Sequence, residues 1–449
     1  MIKRRQYFAF VILAAALAAP ASSAFGQMAP APQTAQTPPA RRISQALTLQ
    51  EAEKIAAQNH PQIQAAANVA IAAQERVKQA KSVYYPTATG SATGVEAEHN
   101  SRIAAGGLNN PIIYDRYANG VTVTQLVTDF GRTHELVKSS NLRAQAEQEN
   151  VVTTRADVLL AVDQAYFAVL KAQTLLTVAQ ETVKERQLVS DQVTTEANNK
   201  LKSGLDVSFA NVDLQQAQLL LIQTENDLQA SFADLSTALG YSDQRTFQLE
   251  EEPLPTEPPG DWQQMVQQAL RDRPELISQR LDVGSAQSYA TAERDLWMPT
   301  ISAAGAAGLT PVHQDDSLAP RYAAAGFNVN IPIFNGHLFG ALRGEANAEE
   351  RAQEQYLRDL QNRIVRDVRT AWLNANSAYQ RLSVTKELLD DAQKALDLAQ
   401  ARYKLGLSSI VELSQAQLNE TQAEIANASA KYDYQTQIAT LNYQIGATH

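Results

Sequence analysis

The chain of 449 residues is long enough for two or three globular domains, and its content of 44% hydrophobic and 19% charged residues excludes wholesale disorder. It has no cysteine, which excludes disulfides, thiolate metal sites, iron–sulfur clusters, a thiol nucleophile and lipid attachment at an N-terminal cysteine. The formal net charge of −10 argues against a nucleic-acid partner, because a phosphate backbone requires a basic surface.

Residues 1–24 have the pattern of a secretory signal peptide. Lys3, Arg4 and Arg5 precede an apolar run that ends near residue 19, and small residues follow it. The run is shorter than the ~20 residues of a membrane-spanning helix, so we expect it to be removed on export. Residues 25–45 are rich in proline, glutamine and threonine, which predicts an extended N-terminal arm.

The rest of the chain is a tandem duplication. Residues 46–248 form the first copy, residues 249–260 a proline-rich linker and residues 261–449 the second copy. Matching positions are 213 residues apart early in the copies and 206 apart later, so the first copy is longer in between. Examples are the pairs Pro61 and Pro274, Ser203 and Ser409, and Gly240 and Gly446.

Both copies predict the same order of elements. Each starts with a half-length helix that a proline ends, and a β-hairpin follows in which valine or isoleucine alternates with polar residues. A long helix with apolar residues every 3.5 positions comes next, and at ~1.5 Å per residue it would be roughly 100 Å long. The expected hairpin, long helix and return helix cover about residues 84–128, 132–200 and 205–240 in the first copy, and 299–334, 338–404 and 408–446 in the second.

The hairpins distinguish a membrane protein from a plain coiled-coil rod, which the heptads alone favour. Four strands are too few to close a barrel, and an open sheet edge cannot lie in lipid, so several chains would have to pool their strands. A dimer would give eight strands with a filled interior, whereas a trimer gives twelve and leaves a bore. Within the strands we expect Val329 and Ile331 to face lipid, and Thr122 and Thr124 to face water.

These features resemble the TolC-like outer-membrane efflux and secretion channel family. The resemblance rests on the duplicated order of elements and on two turn segments, residues 203–206 (Ser-Gly-Leu-Asp) and 404–407 (Lys-Leu-Gly-Leu), and it covers nearly all of residues 47–447. It implies a mainly α fold with a β-barrel portion. The chain would be a homotrimer whose 12-stranded barrel crosses the outer membrane of a Gram-negative-type cell and continues as a periplasmic α-helical barrel.

The resemblance also implies roles for the turns between long and return helices, which form the periplasmic tips. The first tip is expected to differ in shape from the second, because Lys200 stands where the second has Gly406. Gly406 is equally what a helix C-cap requires. The tip residues expected to dock an adaptor are Lys200, Leu201, Gly204, Leu205, Gly406 and Leu407.

A periplasmic gate is implied just past the tips. It would consist of Asp206, Tyr403 and Glu412, with a hydrogen bond from the Tyr403 phenol to the Asp206 carboxylate. Ser408 and Gln415 depart from the residues that the family often has there. Both acids also suit the first turn of a helix, where the helix dipole favours negative charge.

No catalytic constellation is found in the sequence, and we predict neither enzyme activity, nor a cofactor, nor a metal. Ser383 and Lys386 match a Ser-x-x-Lys pattern but lie in mid-helix beside the apolar seam.

The predicted function is a passive outer-membrane conduit for efflux or type I secretion. Its implied partners are a periplasmic adaptor, an inner-membrane pump of RND or ABC type and outer-membrane lipid. The alternative is a periplasmic coiled-coil adaptor or structural protein that does not span the outer membrane.

Overall fold

The computed structural model describes residues 46–96, 98, 116–258, 260–311 and 319–447. The predicted signal peptide, the N-terminal arm and most of the turn of each hairpin lie outside these residues. The described fold is mainly helical with a smaller β portion, and both copies have the same order of elements. The predicted mainly α fold with a β portion and duplicated order of elements is therefore confirmed.

In the first copy the elements are α1 (Leu49–Asn59), α2 (Pro61–Lys81), β1 (Thr87–Val95), β2 (Arg116–Thr128), α3 (Arg132–Asn198) and α4 (Gly204–Ala238). In the second copy they are α5 (Trp262–Asp272), α6 (Pro274–Arg294), β3 (Thr300–Leu309), β4 (Arg321–Asn330), α7 (Leu338–Lys404) and α8 (Ile410–Gln444). A single 3-10 turn follows α2 and another follows α6.

The first helix of each copy, expected as one piece, is two helices broken before a proline. His60 and Arg273 have ψ angles of 125° and 122°, which are extended values. The proline ring clashes with a helical conformation of the residue before it, so the helix ends there. Pro61 and Pro274 then occupy the first position of the next helix, where the missing N–H is not needed.

The helices form a layer with two open edges. On the sheet side, α3 packs between α2 and α6, and α6 packs on α7. On the tip side, α3 packs between α4 and α8, and α8 packs on α7. Helix α7, on which α5 also packs, is therefore one edge of the layer, and α2 with α4 forms the other.

The seven-residue apolar repeats form the packed seams between helices, as their spacing predicts. Buried seam residues include Val158, Val162 and Val169 of α3, Ala210 and Ala217 of α4, and Ile364, Val368 and Ala375 of α7.

A buried arginine joins the two copies between the sheet and the tips. Arg186 of α3 is 5% exposed, and its guanidinium donates to the Gln417 carbonyl at 2.9 Å and to the Thr421 hydroxyl at 3.1 Å, both in α8. Burial and a hydrogen bond with Glu420 raise the pKa of the nearby Glu424 to about 7. The joint between the copies is thus polar at a position where the seam is otherwise apolar.

The two hairpins pair side by side into one antiparallel sheet in the order β1-β2-β3-β4. The pairing of β2 with β3 joins the copies, and a bulge interrupts it between Leu126 and Thr128. Among the described residues, β1 and β4 each have one unpaired edge. Across the described part of the chain, no helix is both long and apolar enough to cross a membrane.

Candidate functional site

The sheet has one apolar and one polar face. Strand residues alternate between faces, and paired residues share a face, so the register assigns each side chain. The apolar face carries Val121, Val123, Ile301, Phe327 and Val329. The polar face carries Thr87, Thr89, Thr122, Thr124, Asn328 and Asn330. This partition is typical of a strand with lipid on one side and water on the other.

Val329 lies on the apolar face, and Thr122 and Thr124 lie on the polar face, as the sequence predicted. Ile331 lies just beyond the end of β4, which stops at Asn330. Val329 itself is near the helix-side end of its strand. Val123 occupies the middle of the sheet on the same face.

Both tips have the same backbone although their sequences differ. At the first, Lys200 has a φ of +63°, its N–H donates to the Ala197 carbonyl, and the Leu201 N–H donates to the Glu196 carbonyl. These two bonds, each 2.9 Å long, form a Schellman motif that ends α3.

At the second tip, Gly406 has a φ of +71° and its N–H donates to the Tyr403 carbonyl at 3.0 Å. The Leu407 N–H donates to the Arg402 carbonyl at 2.8 Å. The first tip therefore has the shape of the second, contrary to the expectation from its sequence. Gly204 is the first residue of α4 and does not form the bend.

The strained lysine gives a test of tip shape. A side chain in the left-handed region costs ~1–2 kcal/mol, and glycine removes most of that cost. We expect Lys200→Gly to slow amide hydrogen exchange in the first tip, and Gly406→Ala to accelerate it in the second by a similar factor. Gly204→Ala is the control, because a Cβ there would meet no atom within 4 Å. Faster exchange in Lys200→Gly would contradict the shared shape.

Each return helix starts at a serine cap. The Ser203 hydroxyl accepts from the Asp206 N–H at 3.2 Å, and the Asp206 carboxylate accepts from the Ser203 N–H at 2.9 Å. This reciprocal capping box lowers the pKa of Asp206, chiefly through the bonds from Ser203. At the second tip, the Ser409 hydroxyl accepts from the Glu412 N–H at 3.4 Å.

Tyr403 fills the space between the tips of the two copies. Its side chain, 6% exposed, belongs to an apolar cluster with Val193 and Ala210 of the first copy and Leu396, Ile410 and Leu413 of the second. Burial, with the nearby charges of Asp206 and Glu196, raises the pKa of the phenol to about 12.

The expected hydrogen bond from Tyr403 to Asp206 is not formed. The buried phenol oxygen has no hydrogen-bond partner among the described residues, and the Asp206 carboxylate is bound to Ser203 instead. Tyr403 therefore joins the tips through its ring, over which the Lys202 ammonium lies 3.9 Å from the centroid.

The sequence analysis did not predict a role for two basic residues at the tips, Lys202 and Arg402. The Arg402 Nε lies 3.2 Å from the Glu412 carboxylate, with both side chains about half exposed. That ion pair spans the second tip, so Glu412 is not an isolated charge. The signal in the sequence was the set of basic residues that flanks each tip, Lys200 and Lys202 in one and Arg402 and Lys404 in the other.

The tips expose leucines that the fold does not cover. These side chains are largely exposed, and basic residues stand beside them. An apolar group with a charged rim is typical of a protein-docking surface. The exposed leucines are Leu201 and Leu205 at the first tip, and Leu405 and Leu407 at the second.

The open edges of the helix layer are apolar as well. Helix α7 exposes Leu373, Val384, Leu388 and Leu398, and the opposite edge exposes Val69 and Ile71 of α2 with Val212, Leu219 and Ile222 of α4. Leu388 and Leu219 are about equally far along their helices from the tips, 17 positions from Leu405 and 16 from Ser203. The two edges are thus complementary in chemistry and height.

The described residues contain no group of His, Asp and Glu that could hold a metal ion.

Comparison with known proteins agrees with this geometry. The family model described as outer membrane efflux protein matches residues 53–241 and 265–447. The outer membrane protein TolC of Salmonella enteritidis is 23% identical over 418 residues, which are 90% of this chain and 83% of the relative.

Two solved structures show the same fold. A membrane protein from Pseudomonas aeruginosa superposes with a TM-score of 0.76 at 19% identity, over 89% of this chain and 93% of the other. The CmeC outer membrane channel of Campylobacter jejuni also gives 0.76, at 16% identity, over 89% of this chain and 86% of the other.

Proposed function

The chain belongs to the outer membrane efflux protein family, and from that premise we propose that it is the outer-membrane conduit of a tripartite export system. The observation that carries the proposal is the joint architecture of a two-faced sheet and a helix layer with two complementary open edges. The resemblance inferred from the sequence is confirmed by the family match.

Three copies would close both layers of the molecule. The unpaired edge of β4 in one copy would pair with β1 of the next, giving a 12-stranded barrel without edges. Below it, the apolar edge of α7 would pack on α2 and α4 of the same neighbour, because both contacts lie on matching sides of the chain. Such head-to-tail contacts generate a ring when the rotation closes.

The tips would dock the periplasmic adaptor. The two tips resemble each other in backbone, because Lys200 and Gly406 both have positive φ. They also resemble each other in exposure, since Leu201 and Leu205 of the first tip are exposed like Leu407 of the second. A trimer would therefore present six related tips, two from each chain, to the adaptor. Gly204 would set the start of α4 beside the docking leucines.

The gate would be built from Asp206, Tyr403 and Glu412. Tyr403 would hold the two copies together by its ring, and Asp206 would fix the start of α4 through its capping bonds with Ser203. Glu412 would lie at the aperture, where its ion pair with Arg402 would tie the end of α7 to the start of α8. The inner-membrane pump would supply energy and substrate selection, and we propose a pump of RND or ABC type.

Cross-linking tests the assembly, because the natural chain has no cysteine. A Leu388→Cys/Leu219→Cys variant treated with a short bis-maleimide should give dimer and trimer bands from outer-membrane fractions, whereas each single variant should not. The purified trimer should also form ion-conducting pores in planar bilayers. Recovery as a soluble periplasmic monomer would favour the alternative of an adaptor or structural protein and would overturn the proposal.

A further inference from the structure

The side chain of Tyr322 reaches across two glycines on the polar face of the sheet. The register pairs Gly120 with Gly308 and Gly308 with Tyr322, so the three residues form one row. A Cβ built on Gly120 would overlap the Tyr322 hydroxyl and lie 3.1 Å from Cζ. A Cβ built on Gly308 would overlap the Asn119 carbonyl oxygen of β2 and lie 2.7 Å from both the Gly120 Cα and the Tyr322 hydroxyl. The Tyr322 side chain thus occupies the space of the side chain that Gly120 lacks, and Gly308 leaves room for both that side chain and the close backbone of β2.

The row lies at the end of the sheet away from the helices. Gly308 is the next-to-last residue of β3 and Tyr322 the second residue of β4, on either side of the hairpin turn. The helices attach at the opposite ends of these strands, where β3 begins and β4 ends. In the proposed channel this row would lie near the exit.

The polar face would line the bore of that channel, because the apolar face would meet lipid. A strand side chain ordinarily stands roughly perpendicular to the sheet, so a tyrosine on this face would project into the bore. Here the ring lies along the wall instead, a packing in which an aromatic residue covers exposed glycine backbone.

We propose that Gly120 and Gly308 form a cradle that stows Tyr322 against the barrel wall and thereby sets the width of the exit. The inference rests on the proposed function, since it requires three copies of the polar face around one bore. A side chain at position 120 would displace the ring into another staggered rotamer, and three rings would then narrow the opening together. The size of the solutes that pass would fall accordingly.

Gly120→Ala tests the cradle with little other disturbance. Apart from the Tyr322 side chain, the atom nearest to the added methyl would be the Ala307 carbonyl oxygen, at 3.0 Å. With the periplasmic tips opened by Tyr403→Ala, we expect Gly120→Ala to lower the single-channel conductance of the full-length trimer on the order of twofold, because conductance depends on the narrowest diameter and closed tips no longer set it. Exclusion of large polyethylene glycols should begin at a smaller size.

Two further variants make the result specific. Gly326→Ala adds the same methyl to the same face, where no atom lies within 4 Å, and should leave conductance unchanged. In the same open-tip background, adding Tyr322→Ala to Gly120→Ala should restore the conductance, because no ring remains to be displaced. Trimer yield on native gels checks that each variant assembles.

The outcomes separate the cradle from the channel itself. A trimer that does not conduct even with Tyr403→Ala would overturn the proposed function and the cradle with it. A conducting Tyr403→Ala trimer whose conductance Gly120→Ala leaves unchanged would overturn the cradle alone. A loss that Tyr322→Ala does not reverse would assign the effect to the strand backbone near Ala307, and would likewise overturn it.

Discussion

Val123→Arg should destabilise insertion of the barrel by ~2–4 kcal/mol per subunit, the cost of a charge on the lipid face near the bilayer midplane. Val123 lies on the apolar face in the middle row of the sheet, paired with Gly305, which in turn pairs with Ala325. Folding into lipid vesicles under a urea titration measures the change, and the fraction of heat-stable trimer in outer membranes reports it in cells.

Neighbouring residues provide the controls. Thr122→Arg is one position away on the polar face and should cost little, because its side chain would reach the water of the bore. Val329→Arg shares the apolar face but lies near the end of β4, where the penalty falls to ~0–1 kcal/mol. If Thr122→Arg destabilises insertion as much as Val123→Arg, the assignment of the two faces is wrong.

The long helices could be predicted from the sequence because their signals are local and repeated. The heptad spacing continues through many turns, and proline, glycine and serine mark the ends. Helix α7, expected over residues 338–404, is observed from Leu338 to Lys404. Helix α3 ends at Asn198, two residues before the expected end, because Lys200 already has the left-handed conformation that closes the helix.

The shape of the first tip could not be predicted from the sequence, because a lysine with positive φ is rare and carries no sequence signal. The Tyr403 hydrogen bond was wrongly expected for a related reason. Asp206 is three positions from Ser203 within one helix start, so the local capping box engages the carboxylate. The row of Gly120, Gly308 and Tyr322 depends on the register between the two hairpins, which the sequence did not specify.

Tyr403→Ala should open the resting channel, whereas Tyr403→Phe should leave its conductance unchanged. Truncation of a buried aromatic ring typically costs ~3–5 kcal/mol, and here the cavity would separate the first copy's Val193 and Ala210 from the second copy's Leu413. The phenol hydroxyl has no partner among the described residues, so its removal sacrifices no hydrogen bond and relieves an unsatisfied buried donor.

Conductance in planar bilayers and sensitivity of cells to large antibiotics measure the opening, with trimer yield as the check on assembly. Tyr356→Ala is the matched control, since it removes the same ring from an exposed site on α7 far from the tips. A leak in Tyr403→Phe equal to that in Tyr403→Ala would contradict this account. It would mean that the hydroxyl is bonded in the resting channel, and that Asp206 leaves Ser203 to accept that bond.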